Sequence, residues 1–193
     1  MPVCAKSGDQ RPALLLMFFA CVAITACSGE EAGNNFTTQQ VDARWANGRL
    51  MATLHQQLLL SNEARRALQH GVPLTLQVEL VIRNGRDKTR IRKNQQTYEI
   101  RYLPLSNHYQ LTLPGGHDIK TFPRLRHLLA DLSLISLSFR TGVMPSGDYE
   151  LLARTRMDKR KIPPPMRLPT LFSSEWRHDS DWSTWPFEIQ PQA

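Results

Sequence analysis

The stretch from Val72 to Arg83 constrains the fold more than any other part of this 193-residue chain. Apolar residues hold six alternate places in it: Val72, Leu74, Leu76, Val78, Leu80 and Ile82. Because successive side chains of a β-strand point to opposite faces, this period of two predicts a strand with one buried face. The body of the protein must therefore contain a sheet that packs against a second layer.

Other patterns predict further strands and two helices. Shorter alternating runs favour strands over 49–60, 98–102, 109–113, 119–122, 135–139 and 149–157. Ser61 offers a helix N-cap and Gly71 a stop, and leucines at helical spacing follow Pro123. Together these elements predict an α+β fold, mainly antiparallel β and sandwich-like, with two short helices.

The N-terminal segment has the pattern of an export signal. Lys6 and Arg11 precede an apolar run from Leu14 to Ile24, and Thr25-Ala26-Cys27 ends it. This arrangement predicts a signal peptide over residues 1–26, and the run is too short to span a membrane. Its exit resembles a bacterial lipobox, which would make Cys27 the lipidated N-terminus. An ordinary signal peptide cut after Ala26 and an uncleaved anchor are the alternatives.

The residues after Cys27 indicate where the body would lie. Ser28 stands where an inner-membrane retention signal would place Asp, so we expect an outer-membrane lipoprotein facing the periplasm. A soluble periplasmic protein is the alternative. Gly, Asn and Thr residues predict a flexible tether over 27–45, followed by a single α+β domain over 46–190.

Composition narrows the chemistry that this domain can perform. The three cysteines are Cys4, Cys21 and Cys27, so the body after Cys27 offers no thiol for catalysis, zinc or iron–sulfur binding. The net charge is +7. In the envelope such a charge would meet phospholipid head groups or acidic proteins, and we expect no nucleic-acid partner.

No motif of an enzyme is recognisable. The chain contains no H-E-x-x-H, G-x-S-x-G or S-x-x-K motif and no phosphate-binding loop. We therefore expect a protein that is not an enzyme and that has neither cofactor nor metal. A hydrolase whose site is assembled by the fold is the alternative that this pattern leaves open.

Two stretches are candidates for a binding surface. Trp176, Trp182 and Trp185 surround His178-Asp179-Ser180-Asp181, and could close the core in a terminal hairpin, form a binding surface or hold a metal. The second stretch is a basic run with only Asp87 against it; its candidate residues are Arg83, Arg86, Lys88, Arg90 and Arg92. It is typical of a solvated loop between strands, and an acidic partner or a lipid surface is the alternative.

Three segments resemble the domain of unknown function 4390 family. They are Leu60-Ser61-Asn62-Glu63-Ala64-Arg65-Arg66-Ala67-Leu68 with Gly71-Val72-Pro73-Leu74, Gln96-Thr97-Tyr98-Glu99-Ile100-Arg101-Tyr102, and Ser173-Ser174-Glu175-Trp176 with Asp179-Ser180 and Trp182 to Phe187. The family consists of exported bacterial proteins, some labelled proline-rich signal peptide proteins, without an established activity. Its genes often lie beside a membrane sensor kinase, so the resemblance implies such a kinase as a possible partner.

These observations lead to one expectation about function. We expect an uncharacterised periplasm-facing lipoprotein, held by its N-terminal lipid, with a non-enzymatic binding or structural role in the cell envelope. Its partner would be an envelope protein or a sensor kinase. The alternative is an accessory ligand-sensing module for a membrane sensor kinase.

Overall fold

The computed structural model describes residues 36–165 and 173–190, which form two antiparallel sheets and two helices. The strands are β1 (Phe36–Ala46), β2 (Arg49–Leu58), β3 (Leu74–Asn84), β4 (Arg90–Leu103), β5 (His108–Thr112), β6 (Ile119–Phe122), β7 (Leu134–Arg140), β8 (Gly147–Met157) and β9 (Ser183–Ile189). The helices are α1 (Asn62–Gln69) and α2 (Leu125–Ser133). Two short 3-10 helices span Lys159–Lys161 and Ser174–Trp176.

The order of the strands confirms the predicted α+β, sandwich-like fold. One sheet has three strands in the order β1-β2-β7, and the other has six in the order β6-β5-β4-β3-β8-β9. All neighbouring strands run antiparallel. The buried apolar side chains of both sheets belong to one hydrophobic core, which also takes in α1 and α2.

The strand predicted from the alternating run is the centre of the larger sheet. β3 pairs with β4 on one side and with β8 on the other. Its residues Leu74, Leu76, Leu80 and Ile82 are at most 1% exposed, as expected for a face turned towards the core. The alternation in the sequence is therefore explained by the contact between the two sheets.

A buried amide joins the two sheets through this core. Gln56 on β2 donates from Nε2 to the carbonyl oxygen of Leu132 at 2.8 Å, and its Oε1 accepts from Thr155 Oγ1 at 2.7 Å. Thr155 lies on β8 of the larger sheet. Because buried polar groups are costly when unpaired, these bonds favour a single alignment of the two layers.

Helix α1 begins and ends as predicted. Ser61 Oγ accepts a hydrogen bond from the backbone N–H of Ala64 at 3.0 Å, which caps the first turn. Gly71 follows the helix with φ +86°, a conformation that a residue with a side chain rarely adopts. Ala64, Ala67 and Leu68 form the buried face of the helix.

The N-terminal boundary of the domain differs from the prediction. The tether predicted over 27–45 is wrong from Phe36 onward, because β1 pairs with β2 along its whole length and Phe36 is 2% exposed. Asn47 and Gly48, with φ values of 51° and 71°, make the two-residue turn between these strands. The sandwich therefore includes residues 36–45, while residues 27–35 lie outside the described residues.

Candidate functional site

The three tryptophans do not form one surface. Trp176 is 1% exposed and belongs to the core, whereas Trp182 is 41% exposed. Trp185 is half-buried on β9 and packs against the core, and its Nε1 donates to Ser183 Oγ at 3.0 Å. The terminal hairpin considered for this stretch is absent from the described residues, because β9 pairs with β8 instead. Only Trp182 presents a ring to solvent at this place.

The basic run spans a β-hairpin, and the solvated loop predicted for it is shorter than the run itself. Arg83 lies in β3, Arg90 and Arg92 lie in β4, and only residues 85–89 form the turn between the strands. The N–H of Gly85 donates to the carbonyl oxygen of Asp148 at 3.0 Å. A Cβ at this glycine would lie 2.9 Å from that oxygen, so the close approach requires glycine.

Two of the predicted basic residues are neutralised by one carboxylate. Arg83 Nε and Lys88 Nζ each lie 2.6 Å from an oxygen of Glu150 on β8. Hydrogen bonds from Lys88 and Arg83 hold the pKa of Glu150 below its usual value. Arg86 and Arg90 are exposed, and Arg92 donates from Nε to the carbonyl oxygen of Thr141 at 3.2 Å.

The solvent-facing side of the larger sheet carries an ordered set of ion pairs. Glu79 on β3 has a side chain that is only 5% exposed, although it faces away from the core. Lys93 Nζ lies 2.8 Å from one of its oxygens and Arg156 Nε lies 3.5 Å from the other. Because these cations come from the strands on either side of β3, the pairs connect β4, β3 and β8.

A second pair joins the larger sheet to the segment before β9. Arg154 on β8 binds Asp179 with both Nε and Nη2, and the Nε–Oδ1 distance is 2.7 Å. The hydrogen bond with Asp179 raises the pKa of Arg154. The same guanidinium lies 5.7 Å from the centre of the Trp182 ring, a distance at which the cation attracts the aromatic face.

A third carboxylate, Asp158, is also held by fixed donors. Gln77 Nε2 donates to its Oδ2 at 2.6 Å, and Arg160 donates to its Oδ1 from Nε at 3.0 Å. Burial raises the pKa of Asp158, but the hydrogen bonds from Arg160 outweigh it and the pKa lies below the usual value. This carboxylate also caps the 3-10 helix that follows it, by accepting from the Arg160 N–H.

The Arg154–Asp179 pair is expected to stabilise the fold measurably. A double-mutant cycle of Arg154→Met and Asp179→Asn should give a coupling free energy of about 1 kcal/mol, because the pair is bidentate and partly buried. The measurement is urea unfolding followed by circular dichroism. The Glu99–Arg101 pair has more exposed side chains and serves as the control, with an expected coupling near zero. Equal coupling free energies in both pairs would contradict a specific stabilising role for the Arg154–Asp179 pair.

His178 holds three elements together at one end of the sandwich. Its side chain is buried, its Nε2 accepts from the backbone N–H of Ser61 at 2.9 Å, and its ring centre lies 5.4 Å from that of Phe36. Its carbonyl oxygen accepts from the N–H of Met157 at 2.9 Å. Burial lowers the pKa of His178 to about 4. The neutral imidazole therefore links β1 to the start of α1, and the backbone of the same residue connects them to β8.

The opposite end of the sandwich carries arginines without acidic partners. Arg49 on β2 stands directly across from Arg140 on β7, and Arg92 reaches Thr141, the residue after Arg140. We call Arg49, Arg92 and Arg140 the basic end. All three are exposed, and within the described residues no carboxylate lies within 4.0 Å of their charged groups.

An open groove runs beside the basic end. It has a volume of about 590 Å³ and lies between β1 and β9, with Arg44, Met51 and Glu188 among its lining residues. The groove is lined by charged side chains of both signs. It therefore differs from the basic end, whose three charged side chains are all cations.

No helix in the described part of the chain is long and apolar enough to cross a membrane. Across residues 36–165 and 173–190, no three His, Cys, Asp or Glu side chains are grouped so that they could hold a metal ion.

Comparison with known families identifies the domain. The family model described as Domain of unknown function (DUF4390) matches residues 33–186. The chain belongs to this family. Searches among curated proteins and among solved structures gave no match. The matched range of the DUF4390 domain includes β1, in agreement with the place of that strand in the sandwich.

Several important residues of the DUF4390 domain were not found by sequence reasoning. Arg49 and Arg140 are distant in sequence and meet only because β2 pairs with β7. The burial of His178 was missed in the same way, since Ser61 and Phe36 come from other parts of the chain. The Asn47-Gly48 pair was the one available signal, because it predicts a hairpin that ends at Arg49. Cys27, the predicted lipidation site, lies outside the described residues.

Proposed function

We propose that this protein is a non-enzymatic binding lipoprotein of the cell envelope, anchored through Cys27 with its body facing the periplasm. The observation that carries the binding role is the basic end. Elsewhere on the body the side chains of Glu79, Glu150, Asp158 and Asp179 are paired with cations. A cationic surface left without such partners is suited to receive negative charge from another molecule.

The anchor is supported by the sequence and by the start of β1. The leader ends in the lipobox-like Ile24-Thr25-Ala26-Cys27, and Phe36, the first residue of β1, lies nine residues after Cys27. An extended chain spans at most about 3.6 Å per residue, so nine residues reach at most about 32 Å. A lipid on Cys27 would therefore keep the sandwich close to the membrane surface.

The roles of the polar side chains support a protein that binds and does not catalyse. His178, whose pKa is lowered to about 4 by burial, is a buried acceptor for the Ser61 N–H. The carboxylates with lowered pKa values at Glu150 and Asp158 are fixed by neighbouring cations. Each of these groups connects elements of the fold.

Membrane fractionation of wild type and Cys27→Ser tests the anchor. Membranes are washed at about 1 M salt, where the Debye length falls to about 3 Å and charge-driven adhesion of a basic protein is screened. We expect wild type to stay with the membranes, because two or more acyl chains anchor stably, and the variant to be released or left unprocessed.

The matched control is Cys21→Ser, which lies within the predicted signal peptide and should fractionate like wild type. If Cys27→Ser remained with the washed membranes to the same extent as wild type and with the same processing, the proposed lipid anchor would be wrong.

A further inference from the structure

The basic end contains a pair of like charges that the register of the smaller sheet forces together. Arg49 and Arg140 are directly opposed in the antiparallel pairing of β2 with β7. Like charges that face each other across a strand pair destabilise a sheet. An anion bound between the two guanidinium groups would remove that repulsion. It would therefore stabilise the folded domain more than an anion bound where a carboxylate already neutralises the arginine.

Hydrogen bonds hold two of the three arginines of the basic end, Arg49 and Arg92, in place. Arg49 Nε donates to Ser138 Oγ at 3.2 Å, and Arg92 Nε donates to the carbonyl oxygen of Thr141 at 3.2 Å. Both bonds use Nε, so the terminal guanidinium nitrogens are left to donate to a ligand. Guanidinium groups bind carboxylates with two parallel hydrogen bonds, and fixed arginines do so at a smaller entropic cost.

An exposed apolar side chain lies beside these charges. Met51 is 43% exposed and stands one row along from Arg49 on the same face of β2, directly opposite Ser138. Thioether side chains adapt to irregular partners, so Met51 gives this face a contact for aliphatic groups as well as for charge. A partner that combines carboxylates with aliphatic stems fits both features.

The position of the basic end favours a protein partner over the membrane. Phe36 and Arg49 lie at opposite ends of the β1–β2 hairpin, because Phe36 pairs with Leu58 and Ala46 pairs with Arg49. Ten residue steps of β-strand correspond to about 33 Å. The chain therefore enters the sandwich at Phe36, about one strand length away from the arginines of the basic end.

We propose that the basic end is the docking surface for an acidic segment, rich in Glu or Asp, of a partner protein in the cell envelope. Arg49 and Arg140 bind its carboxylates, Arg92 extends the cationic surface towards β4, and Met51 contacts the aliphatic part of the segment. This inference rests on the proposed binding function and deepens it by naming its surface and the chemistry of its partner.

Binding of a fluorescein-labelled oligoglutamate peptide tests the inference. The full mature protein is kept in a neutral detergent, and binding is followed by fluorescence anisotropy at low salt and at about 0.15 M, where the Debye length is about 8 Å. Arg49→Gln with Arg140→Gln is the test variant. Arg65→Gln with Arg66→Gln is the matched control, because it removes the same charge from the exposed side of α1.

We expect the test variant to bind the peptide at least about tenfold more weakly than wild type, since it loses two charge-assisted hydrogen-bonding groups. The control should bind with an affinity within about twofold of wild type. An equal loss in both variants would show that overall charge alone attracts the peptide, and would overturn the proposal. Absence of binding by wild type would overturn it too.

Vesicles of phosphatidylglycerol and phosphatidylcholine provide the competing surface, and they are tested without detergent on the released Cys27→Ser protein, which has no lipid of its own. If this protein bound the vesicles through Arg49 and Arg140 more strongly than the peptide, the basic end would be a membrane contact and the acidic-segment proposal would be wrong. Peptide binding by the same protein separates this inference from the anchor, because binding through Arg49 and Arg140 does not need the lipid.

Discussion

Replacing Trp176 with alanine is expected to lower the free energy of unfolding by about 3–5 kcal/mol, the range for removing a buried aromatic side chain. Trp176 is 1% exposed and is among the largest fully buried side chains in the described part of the chain. It ends the 3-10 helix Ser174–Trp176, which packs against α1. Urea unfolding followed by far-ultraviolet circular dichroism measures the loss.

The control for this substitution is Trp182→Ala. Trp182 is 41% exposed and its ring contacts Arg154, so its removal should cost no more than about 1 kcal/mol. A comparable loss of stability in the two variants would contradict the separation of the tryptophans into one core residue and one surface residue.

The second large effect is a loss of stability on mild acidification, caused by His178. The pKa of His178 is about 4 in the folded protein, compared with 6.5 for an unperturbed histidine side chain, because burial disfavours the charged ring. The unfolded chain therefore binds a proton at His178 at a higher pH than the folded chain does. The contribution of His178 to the free energy of unfolding is fully present above about pH 6.5. It falls by about 3 kcal/mol as the pH drops to about 4.

Nuclear magnetic resonance titration of the His178 Hε1 proton tests this directly. Because the pKa of His178 is lowered to about 4, we expect no titration of this residue near pH 6.5 in the folded protein. Urea unfolding of wild type and His178→Gln between pH 7 and pH 4.5 gives the second readout, and the variant should depend less on pH. Titration of His178 near pH 6.5, together with equal pH dependence of the two proteins, would contradict the assigned role.

The elements that could be predicted from the sequence are those with a local cause. The period of two in β3 arises because one face of that strand meets the core, and the start of α1 is determined by Ser61 within the same turn. Such signals do not depend on distant parts of the chain. This is why both elements, and the α+β class built on them, were predicted correctly.

β1 was missed because its sequence resembles a linker. It runs Phe-Thr-Thr-Gln-Gln-Val-Asp-Ala-Arg-Trp-Ala, with polar residues at most outward places and a shift in register between Thr38 and Gln40. An edge strand that pairs on one side needs only a few apolar contacts, and here Phe36 and Val41 provide its most buried ones. The alternation is therefore too weak to recognise, although the Asn47-Gly48 turn indicated a hairpin.

The first half of β4 was mistaken for a loop for a related reason. Arg92, Asn94 and Gln96 occupy the core-facing positions opposite Ile82, Leu80 and Val78, so polar residues lie on both sides of the strand. A strand segment with polar residues on both faces has no apolar period to detect. The partners of its charges lie on other strands, as Lys93 with Glu79 shows, and pairing across strands is not visible in a single sequence.

The candidate site was the least predictable part, because it depends on register. The basic residues from 83 to 92 were recognised by composition, but composition could not show that Arg83 and Lys88 share Glu150. Nor could it show that Arg49 faces Arg140. Which cations remain uncompensated is decided by the pairing of β2 with β7 and of β3 with β8.

The intact mass of the mature protein extracted from membranes is the most direct test of the proposed lipid anchor. We expect a chain that has lost residues 1–26 and carries acyl chains on Cys27. An unmodified cysteine at that position, or a mature chain that begins at another residue, would contradict the lipoprotein assignment. The body would then be a binding domain without a lipid anchor.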